Sequence, residues 1–341
     1  MYLIIAIILF IFLFLLPFLP GIIELIRKQD AEPLFIAMEY IRNPRYFGKS
    51  FKRLIHRATA GFTLSPGMRD VKLSKDEKVE LTHSLNVPAD KEINHMLYVI
   101  GKFVSGSNVK FNKEVYVLED AVIGANNLIQ AFAGDGNIKV EEGVQFRRWI
   151  DTEGDVVIDE KCNLGISASS SSKLCIAGNC LFRRLFGMPI ATGQNWINTI
   201  ADSIETTPHI DSIHTRSSFI RRKDRDVPPE TKFEDNVVFV NDVKIGRGCL
   251  FKGSIKSYGK LSLEEGVTIC GNIFTDGDIF IGRNTRISGH VFSQMSIYIS
   301  GQTVISNPDK IKSVIGKKTI DIEEGVIIYG YVATEGEGRT V

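Results

Sequence analysis

Two pairs of arginines are the side chains best suited to bind a ligand. Arg147-Arg148 precedes Arg183-Arg184 by thirty-six residues, which is twice an eighteen-residue period that runs through much of the chain. If one period is one coil of a repeating fold, the two pairs hold the same position two coils apart, with Gly165-Ile166 between them. Guanidinium groups bind phosphate and carboxylate groups through paired hydrogen bonds. The spacing therefore predicts an anion-binding or partner-binding surface, unless the arginines pair with acids such as Asp151 and Glu153 on neighbouring coils.

The histidines give a weaker signal. His209 and His214 flank Asp211 in a stretch without a clear strand or helix pattern, so a solvated loop is favoured over a metal site. His290 stands beside a column of glycines at an outward, polar position, which favours a surface histidine. The chain contains no GxxxxGK[ST] loop, no GxGxxG after a strand and no HExxH. We therefore expect no catalytic residue, no cofactor and no metal.

The five cysteines indicate a reduced compartment, because their number is odd and no CxxC pair is present. Cys162 and Cys180 are one period apart in a column otherwise occupied mainly by valine and threonine. Free cysteine behaves as a small apolar residue when buried. We expect these thiols to be core groups of stacked coils.

The eighteen-residue period is clearest from Val243 to Val332. Residues of one column share their character, which is apolar in four columns and glycine in another. One apolar column is Ile245, Leu263, Ile281 and Ile299, a second is Val243, Leu261, Ile279 and Ile297, and the glycines are Gly253, Gly271 and Gly289. After five inserted residues around Lys310 the pattern resumes at Ile320. Such a period is typical of a solenoid whose coils bury their apolar faces only by stacking.

The pattern inside each period indicates strands. Apolar residues two apart alternate with other residues, as in Leu261, Ser262 and Leu263. Glycines such as Gly266 and Gly277 interrupt runs of about six residues, where the chain must turn a corner. Three short strands and three corners per period predict an all-β fold, a triangular parallel β-helix with about eighteen residues per coil.

The register divides the chain into two repetitive blocks. The second block is 243–332, followed by a short tail at 333–341. An aliphatic column marks the first block, 96–190, and consists of Val104, Val122, Val140, Ile158 and Ile176. Residues 191–242 do not fit the register and are interpreted as an irregular insertion or hinge. The sequence leaves open whether the two blocks form one continuous β-helix.

The N-terminal residues have the pattern of a membrane anchor. Residues 2–20 hold no charge and consist almost wholly of Leu, Ile and Phe, long enough to cross a hydrocarbon layer of about 30 Å. A cleaved signal peptide would need a basic start and a small-x-small cleavage site, which the chain lacks. We predict a transmembrane helix at 1–26. Because basic residues follow it, we expect a single-pass membrane protein whose body faces the cytoplasm.

A basic juxtamembrane segment and linker follow at 27–95. Phe47, Phe51, Leu54 and Ile55 share one side of a predicted short helix, opposite basic side chains. Such a helix suits the surface of anionic lipid or packing against the solenoid, and the two interpretations are compatible. The residues assigned to the membrane surface are Arg42, Arg45, Lys49, Lys52, Arg53 and Arg57. The overall balance of 41 basic and 40 acidic residues argues against nucleic acid as a partner.

The stretch from Gly253 to Phe292 resembles the bactofilin family of polymer-forming bacterial cytoskeletal proteins. The resemblance rests on the glycine-spaced runs Leu263-Glu-Glu-Gly266-Val267 and Gly271-Asn-Ile273. It covers the second block well and the first block in register only. It implies a right-handed β-helix that polymerises end to end without nucleotide and serves as a membrane-associated scaffold, in this case at the bacterial inner membrane. The implied partners are further copies of the chain, anionic membrane lipid, and cell-envelope enzymes or other scaffold subunits.

A solenoid exposes unpaired strand edges at its ends, and we predict self-assembly at the C-terminal one. The residues assigned to this contact are Ile322, Val326, Ile328 and Val332. Proline or lysine at Ile328 would then stop assembly and leave a folded monomer. The prediction is a membrane-anchored scaffold, not an enzyme, that assembles with itself and positions cell-envelope or cell-shape factors.

Two alternatives come from other functional classes. Steps such as Ile245-Gly246 and Ile281-Gly282 resemble the hexapeptide repeat of left-handed, trimeric acyltransferases, which use a histidine base. Of the candidate histidines only His290 lies in a coil. The other alternative is a non-polymeric membrane adaptor that presents the arginine pairs or residues 191–242 to a partner.

Overall fold

The structure is a computed structural model, and it describes residues 43–59, 69–72, 77–193 and 219–341, together with positions 9, 10 and 16. The chain divides into two units, 1–42 and 43–341, and the second contains every element described below. Apart from those three positions, the predicted anchor at 1–26 lies outside the described residues, as do Arg42 and the histidines at 209 and 214. No helix among the described residues is long and apolar enough to cross a membrane.

One short helix, α1 (Tyr46–Thr59), and a strand, β1 (Arg69–Lys72), precede the repetitive strands. The strands of the first block are β2 (Lys78–Thr82), β3 (Leu85–Val87), β4 (Glu92–Ile93), β5 (Met96–Val99), β6 (Phe103–Ser105), β7 (Lys110–Val117), β8 (Ala121–Ile123), β9 (Leu128–Gly134), β10 (Ile138–Val140), β11 (Gln145–Phe146), β12 (Trp149–Thr152), β13 (Val156–Ile158), β14 (Ser167–Ser170), β15 (Leu174–Ile176) and β16 (Leu181–Thr192). The strands of the second block are β17 (Phe219–Arg222), β18 (Asp226–Val227), β19 (Lys232–Phe233), β20 (Asn236–Phe239), β21 (Val243–Ile245), β22 (Leu250–Phe251), β23 (Ile255–Ser257), β24 (Leu261–Leu263), β25 (Thr268–Ile269), β26 (Ile273–Thr275), β27 (Ile279–Ile281), β28 (Arg286–Ile287), β29 (Val291–Ser293), β30 (Ile297–Ile299), β31 (Val304–Ile305), β32 (Lys312–Gly316), β33 (Thr319–Ile322) and β34 (Ile327–Thr340).

The strands stack in parallel ladders, which confirms an all-β parallel solenoid of about 13 turns with about 18 residues per turn. In the second block, for example, β21, β24, β27 and β30 pair successively in register. Leu261, Ile279 and Ile297 are therefore neighbours in one ladder, and all three are fully buried. The apolar columns of the second block are hydrogen-bonded columns of the fold, because each coil buries its apolar residues between those of the coils above and below. The predicted first-block column is right only from Val140 to Ile176, since Val140 pairs with Ile123 in place of Val122 and Val104 is 41% exposed.

The glycine column allows successive coils to approach closely at one corner. A Cβ on Gly289 would lie 2.2 Å from the carbonyl oxygen of Gly271, whereas a Cβ on Gly178 would meet nothing within 4 Å. We expect Gly289→Ala to lower the free energy of unfolding by about 1–3 kcal/mol, the usual cost of overpacking. Gly178→Ala should change it by about 1 kcal/mol or less. Chemical denaturation tests this pair, and equal effects would contradict a steric role for the column.

The two blocks begin in the same way. Val87-Pro88 and Val227-Pro228 follow equivalent courses, and Asp90 and Glu230, each three residues after the valine, both adopt a φ of 57°. β18 pairs with β21 as β3 pairs with β6. Both blocks are therefore built on one coil architecture.

Both blocks also begin earlier than the sequence pattern indicates. Residues 219–242, which the sequence assigns to the insertion, contribute the first coil of the second block, because β17, β18 and β19 each pair with a strand of the following coil. The first block begins at β2, ahead of residue 96. The physical reason is that a first coil carries charged residues even at positions whose ladder neighbours are core residues, such as Arg222 opposite Phe239 and Glu80 opposite Leu97, so few apolar residues mark the register.

The two blocks meet at their C-terminal coils. β16 pairs antiparallel with β34, and Ile190 lies opposite Ile328. The prediction that the last coil offers a free edge to a second copy is therefore wrong, because this edge is covered within the chain. The residues assigned to self-assembly are core groups, at most 1% exposed: Ile322, Val326, Ile328 and Val332. The predicted tail at 333–341 also belongs to this coil, since β34 continues to Thr340 and pairs with β33.

Two threonines bond across this junction in equivalent ways. Thr192 Oγ1 accepts a hydrogen bond from the Val326 N–H at 3.0 Å and donates one to a carbonyl of the second block at 2.6 Å. Thr340 Oγ1 accepts from the Cys180 N–H at 3.0 Å and donates to a carbonyl of the first block at 2.7 Å. Each threonine ends the last strand of its own block. The junction thus has approximate two-fold symmetry, which joins the blocks into one solenoid with two N-terminal ends.

Candidate functional site

Helix α1 lies on the outer side of the first block. In β5, Leu97 and Val99 belong to the solenoid core, whereas Met96 and Tyr98 point outward and are buried beneath α1. Phe51 on the helix belongs to the same cluster. Of the predicted apolar side, Phe47, Phe51 and Ile55 therefore pack on the solenoid, one of the two arrangements that the sequence left open, whereas Leu54 is 49% exposed. The docking of the helix could have been inferred from the outward apolar residues Met96 and Tyr98 of β5 and Trp149 of β12, because these would be exposed if nothing covered them.

A buried arginine fixes the start of α1. Arg45 Nε and Nη2 donate to the two carboxylate oxygens of Asp151 at 2.8 and 2.9 Å, and Nη1 donates to Glu153 at 2.6 Å. Ser169 donates a further hydrogen bond to Asp151 at 2.6 Å. The Arg45 guanidinium holds the pKa of Glu153 below its usual range. Gly48 permits this close approach, since a Cβ there would overlap the Asp151 carboxylate.

The predicted membrane-surface residues divide into two groups. Arg45 is 4% exposed, and Lys52 donates to Asp135 at 2.6 Å, so both are engaged with the solenoid. Lys49, Arg53 and Arg57 are exposed and lie four residues apart on α1. They form one outward stripe, hereafter the basic stripe. Because Phe51 and Ile55 of the helix are buried against the solenoid and Leu54 is 49% exposed beside the stripe, contact with a membrane would rest mainly on electrostatic attraction.

The structure brings one member of each arginine pair into a common groove along the outer face of the first block. The groove has a volume of about 910 Å³ and reaches the second block at Gly336-Glu337. Its lining residues are Leu128, Gln145, Phe146, Arg147, Asn163, Gly165, Ile166, Leu181, Phe182, Arg183, Gly336 and Glu337. Arg147 and Arg183 are exposed, and neither forms an ion pair within the part of the chain that the structure describes.

The second member of each pair lies outside this groove. Arg148 donates to Glu114 at 3.0 Å, and Arg184 lies opposite Ala333 at the junction. The prediction of a four-arginine surface thus becomes two arginines in a groove and two beside it. The spacing of the pairs located the site. It did not reveal Gln145, Asn163 or Glu337, because polar residues at outward positions are common on any solenoid.

His290 has a structural role in the glycine corner. Its ring Nδ1 accepts a hydrogen bond from the Ser313 backbone N–H at 3.1 Å, and the backbone N–H of His290 donates to Asn272 Oδ1 at 2.9 Å. Partial burial lowers the pKa of this imidazole, with the nearby Lys312 as the second cause. Nδ1 accepts and the ring is neutral, so the proton resides on Nε2. A ring held in this state is poorly arranged to act as a general base.

All five cysteines are free and buried, as predicted. Burial raises the pKa of Cys175 to about 12, which disfavours its thiolate. Within the described residues no group of three or more His, Cys, Asp or Glu side chains could hold a metal ion.

The two N-terminal ends of the solenoid differ. At the first-block end, β1 pairs antiparallel with β2. The core column that contains Leu97 ends there on Glu80, which forms an ion pair with His95. At the second-block end the column ends on Ile220, which is 45% exposed although its ladder neighbour Val237 is fully buried. Among the described residues no strand precedes β17, β18 or β19 in their ladders. We call this surface, the coil of β17 to β19 with Ile220, the open end.

Comparison of the chain with protein-family models, with curated proteins and with solved structures finds no match.

Proposed function

We propose that the protein is a membrane-associated scaffold, similar to bactofilins, that assembles with itself end to end without nucleotide and positions cell-envelope factors. The observation that carries this proposal is the open end. One apolar core column terminates there on a half-exposed isoleucine, in a coil whose strands have no preceding partner among the described residues, and such an end favours association with another strand-bearing surface.

A second copy of the chain is the partner that suits the open end best. At the junction of β16 with β34, two C-terminal coils of this solenoid pair antiparallel, and apolar residues such as Ile190 and Ile328 lie opposite each other across it. Two open ends brought together about a two-fold axis would repeat that arrangement between molecules. The first-block end is less suited, because β1 already occupies one of its edges and Glu80 replaces the apolar residue.

This geometry gives a definite size for the assembly. A contact through open ends alone is closed and produces a dimer, whereas a filament also requires the first-block ends to associate. Each chain has about 13 turns, so such a dimer would be a rod about 120 Å long at ~4.8 Å per turn. Electron microscopy distinguishes such rods from filaments.

The basic stripe supports the membrane-associated part of the proposal. Lys49, Arg53 and Arg57 project from the side of α1 that does not contact the solenoid, next to the sequence predicted to anchor the chain. Each basic residue near an anionic surface contributes about 1 kcal/mol of attraction. The body would thus lie against the inner leaflet, with the solenoid facing the cytoplasm.

Glutamate in place of Ile220 is the test of the proposed assembly. We expect wild-type protein without nucleotide to form rods or filaments, and Ile220→Glu to shift it to monomers, because a carboxylate would be buried in the contact. Ile311→Glu is the matched control, since Ile311 is 56% exposed on a loop remote from the open end. Light scattering and negative-stain microscopy measure the outcome. Monomeric wild-type protein, or unchanged assembly of Ile220→Glu, would contradict the proposal.

A further inference from the structure

We infer that the groove containing Arg147 and Arg183 binds an extended acidic peptide segment of a partner protein. The groove lies at the junction of the blocks, so binding there does not depend on self-assembly through the open end. A scaffold with such a groove would hold a client protein by its carboxylates.

The shape of the groove favours a linear ligand. Leu128, Gln145, Asn163 and Leu181 come from four successive coils, paired in register, and Glu337 of the second block lies beyond them. Four steps of ~4.8 Å give a length of about 19 Å along the solenoid axis. An extended chain advances about 3.3 Å per residue, so the groove matches some six residues. A single phosphate group would fill only a small part of this length.

The two arginines stand on either side of a glycine floor. Arg147, Gly165 and Arg183 occupy one position in three successive coils, which places the arginine Cα atoms about 10 Å apart. Gly165 has a φ of 65°, and a Cβ there would lie 2.6 Å from the Phe146 carbonyl oxygen. A side chain is therefore disfavoured at the position between the two arginines in this column.

The charges and polar groups suit carboxylates on a peptide. In an extended peptide, carboxylates on one face recur at about 7 Å in a strand and about 9 Å in polyproline II. Both spacings are within reach of two flexible arginines. Asn163 Oδ1 accepts from the Gly165 N–H at 3.0 Å, which leaves its NH2 group as a donor to a peptide carbonyl. Ile166 is 41% exposed on the groove wall and offers apolar contact.

Glu337 gives the groove a direction. It is the single acidic residue of the lining, at the second-block end, so the lining residues together carry a charge of +1 from two arginines and one glutamate. An acidic segment would place its carboxylates toward Arg147 and Arg183 and an uncharged residue toward Glu337. Since the lining comes from both blocks, the complete groove exists only when β16 and β34 are joined.

A labelled peptide tests the inference directly. We would titrate fluorescein-hexaglutamate with the full chain carrying Ile220→Glu, so that binding is measured independently of assembly through the open end. We expect a saturable rise in fluorescence anisotropy. Arg147→Gln with Arg183→Gln should weaken binding about tenfold or more, since two charge-assisted contacts are lost. Glu337→Gln should tighten it several-fold by removing a like charge.

The matched control changes the same charge outside the groove. Arg148→Gln with Arg184→Gln should leave the affinity within about twofold, because neither residue lines the groove. Equal loss in both double variants would mean non-specific attraction and would overturn the inference. Inorganic phosphate and vesicles with anionic lipid serve as alternative ligands. Binding of either one that depends on Arg147 and Arg183, without binding of hexaglutamate, would also overturn it.

Discussion

Lysine in place of Ile328 is expected to unfold the protein more readily, lowering the free energy of unfolding by about 4 kcal/mol or more. Ile328 is 1% exposed, pairs with Ile305 of the preceding coil and lies opposite Ile190 across the junction. A lysine ammonium would be buried among aliphatic side chains, where an unpaired charge is strongly unfavourable. The sequence pattern alone predicts a folded monomer for this variant, so the two expectations differ clearly. Denaturation by guanidinium chloride, followed by circular dichroism, measures the change.

Ile311→Lys is the control for this experiment, because it makes the same substitution at a position that is 56% exposed. It should change the free energy of unfolding by about 0.5 kcal/mol or less. Ile190→Lys should destabilise the protein to a similar degree, since Ile190 is the residue opposite Ile328 and is also 1% exposed. Wild-type stability of Ile328→Lys would mean that β16 and β34 are not joined in solution.

The sequence predicts the coils of this fold better than their ends. A column such as Leu261, Ile279 and Ile297 must be apolar in any stacked coil, so the period reveals strands, corners and core directly. The residues of the last coil are apolar for the same reason, whether their edge faces solvent or another block. The identity of Ile328 therefore does not predict its partner Ile190. Whether the last coil faces solvent or another block depends on contacts between residues far apart in the chain, such as those of Thr192 and Thr340.

The candidate sites were predictable to different degrees. The recurrence of Arg147 and Arg183 at twice the coil period is enough to place them on one face. The docking of α1 is harder to predict, because basic and apolar residues in a short helix suit lipid as well as protein. Only the structure distinguishes docking on the solenoid from binding to lipid, because it shows the Asp151 carboxylate enclosed by Arg45 and Ser169. A charged residue at an outward position is normal on a solenoid, and its burial requires an element from elsewhere in the chain.

Alanine in place of Arg45 is expected to release α1 from the solenoid. Breaking a buried ion pair by removing one partner costs about 3–5 kcal/mol when the other charge stays buried. α1 can avoid this cost by undocking, which returns Asp151 and Glu153 to water. We expect the amides of the second half of α1 to lose about 100-fold or more of their protection from hydrogen exchange, which corresponds to about 3 kcal/mol. The core strands of the solenoid should keep theirs, because α1 is not part of the ladders.

Three further variants show whether the ion pair is the cause. Lys49→Ala removes an exposed charge from the same helix and should leave exchange unchanged. Arg45→Met combined with Asp151→Leu removes both buried charges, and apolar replacements of such pairs are often tolerated, so docking should be largely restored. Asp151→Leu alone leaves Arg45 only with Glu153 and should resemble Arg45→Ala. If Arg45→Ala retained full protection of α1, the helix would be held by its apolar side alone. The basic stripe would then still face outward, because Phe51 and Ile55 would still face the solenoid.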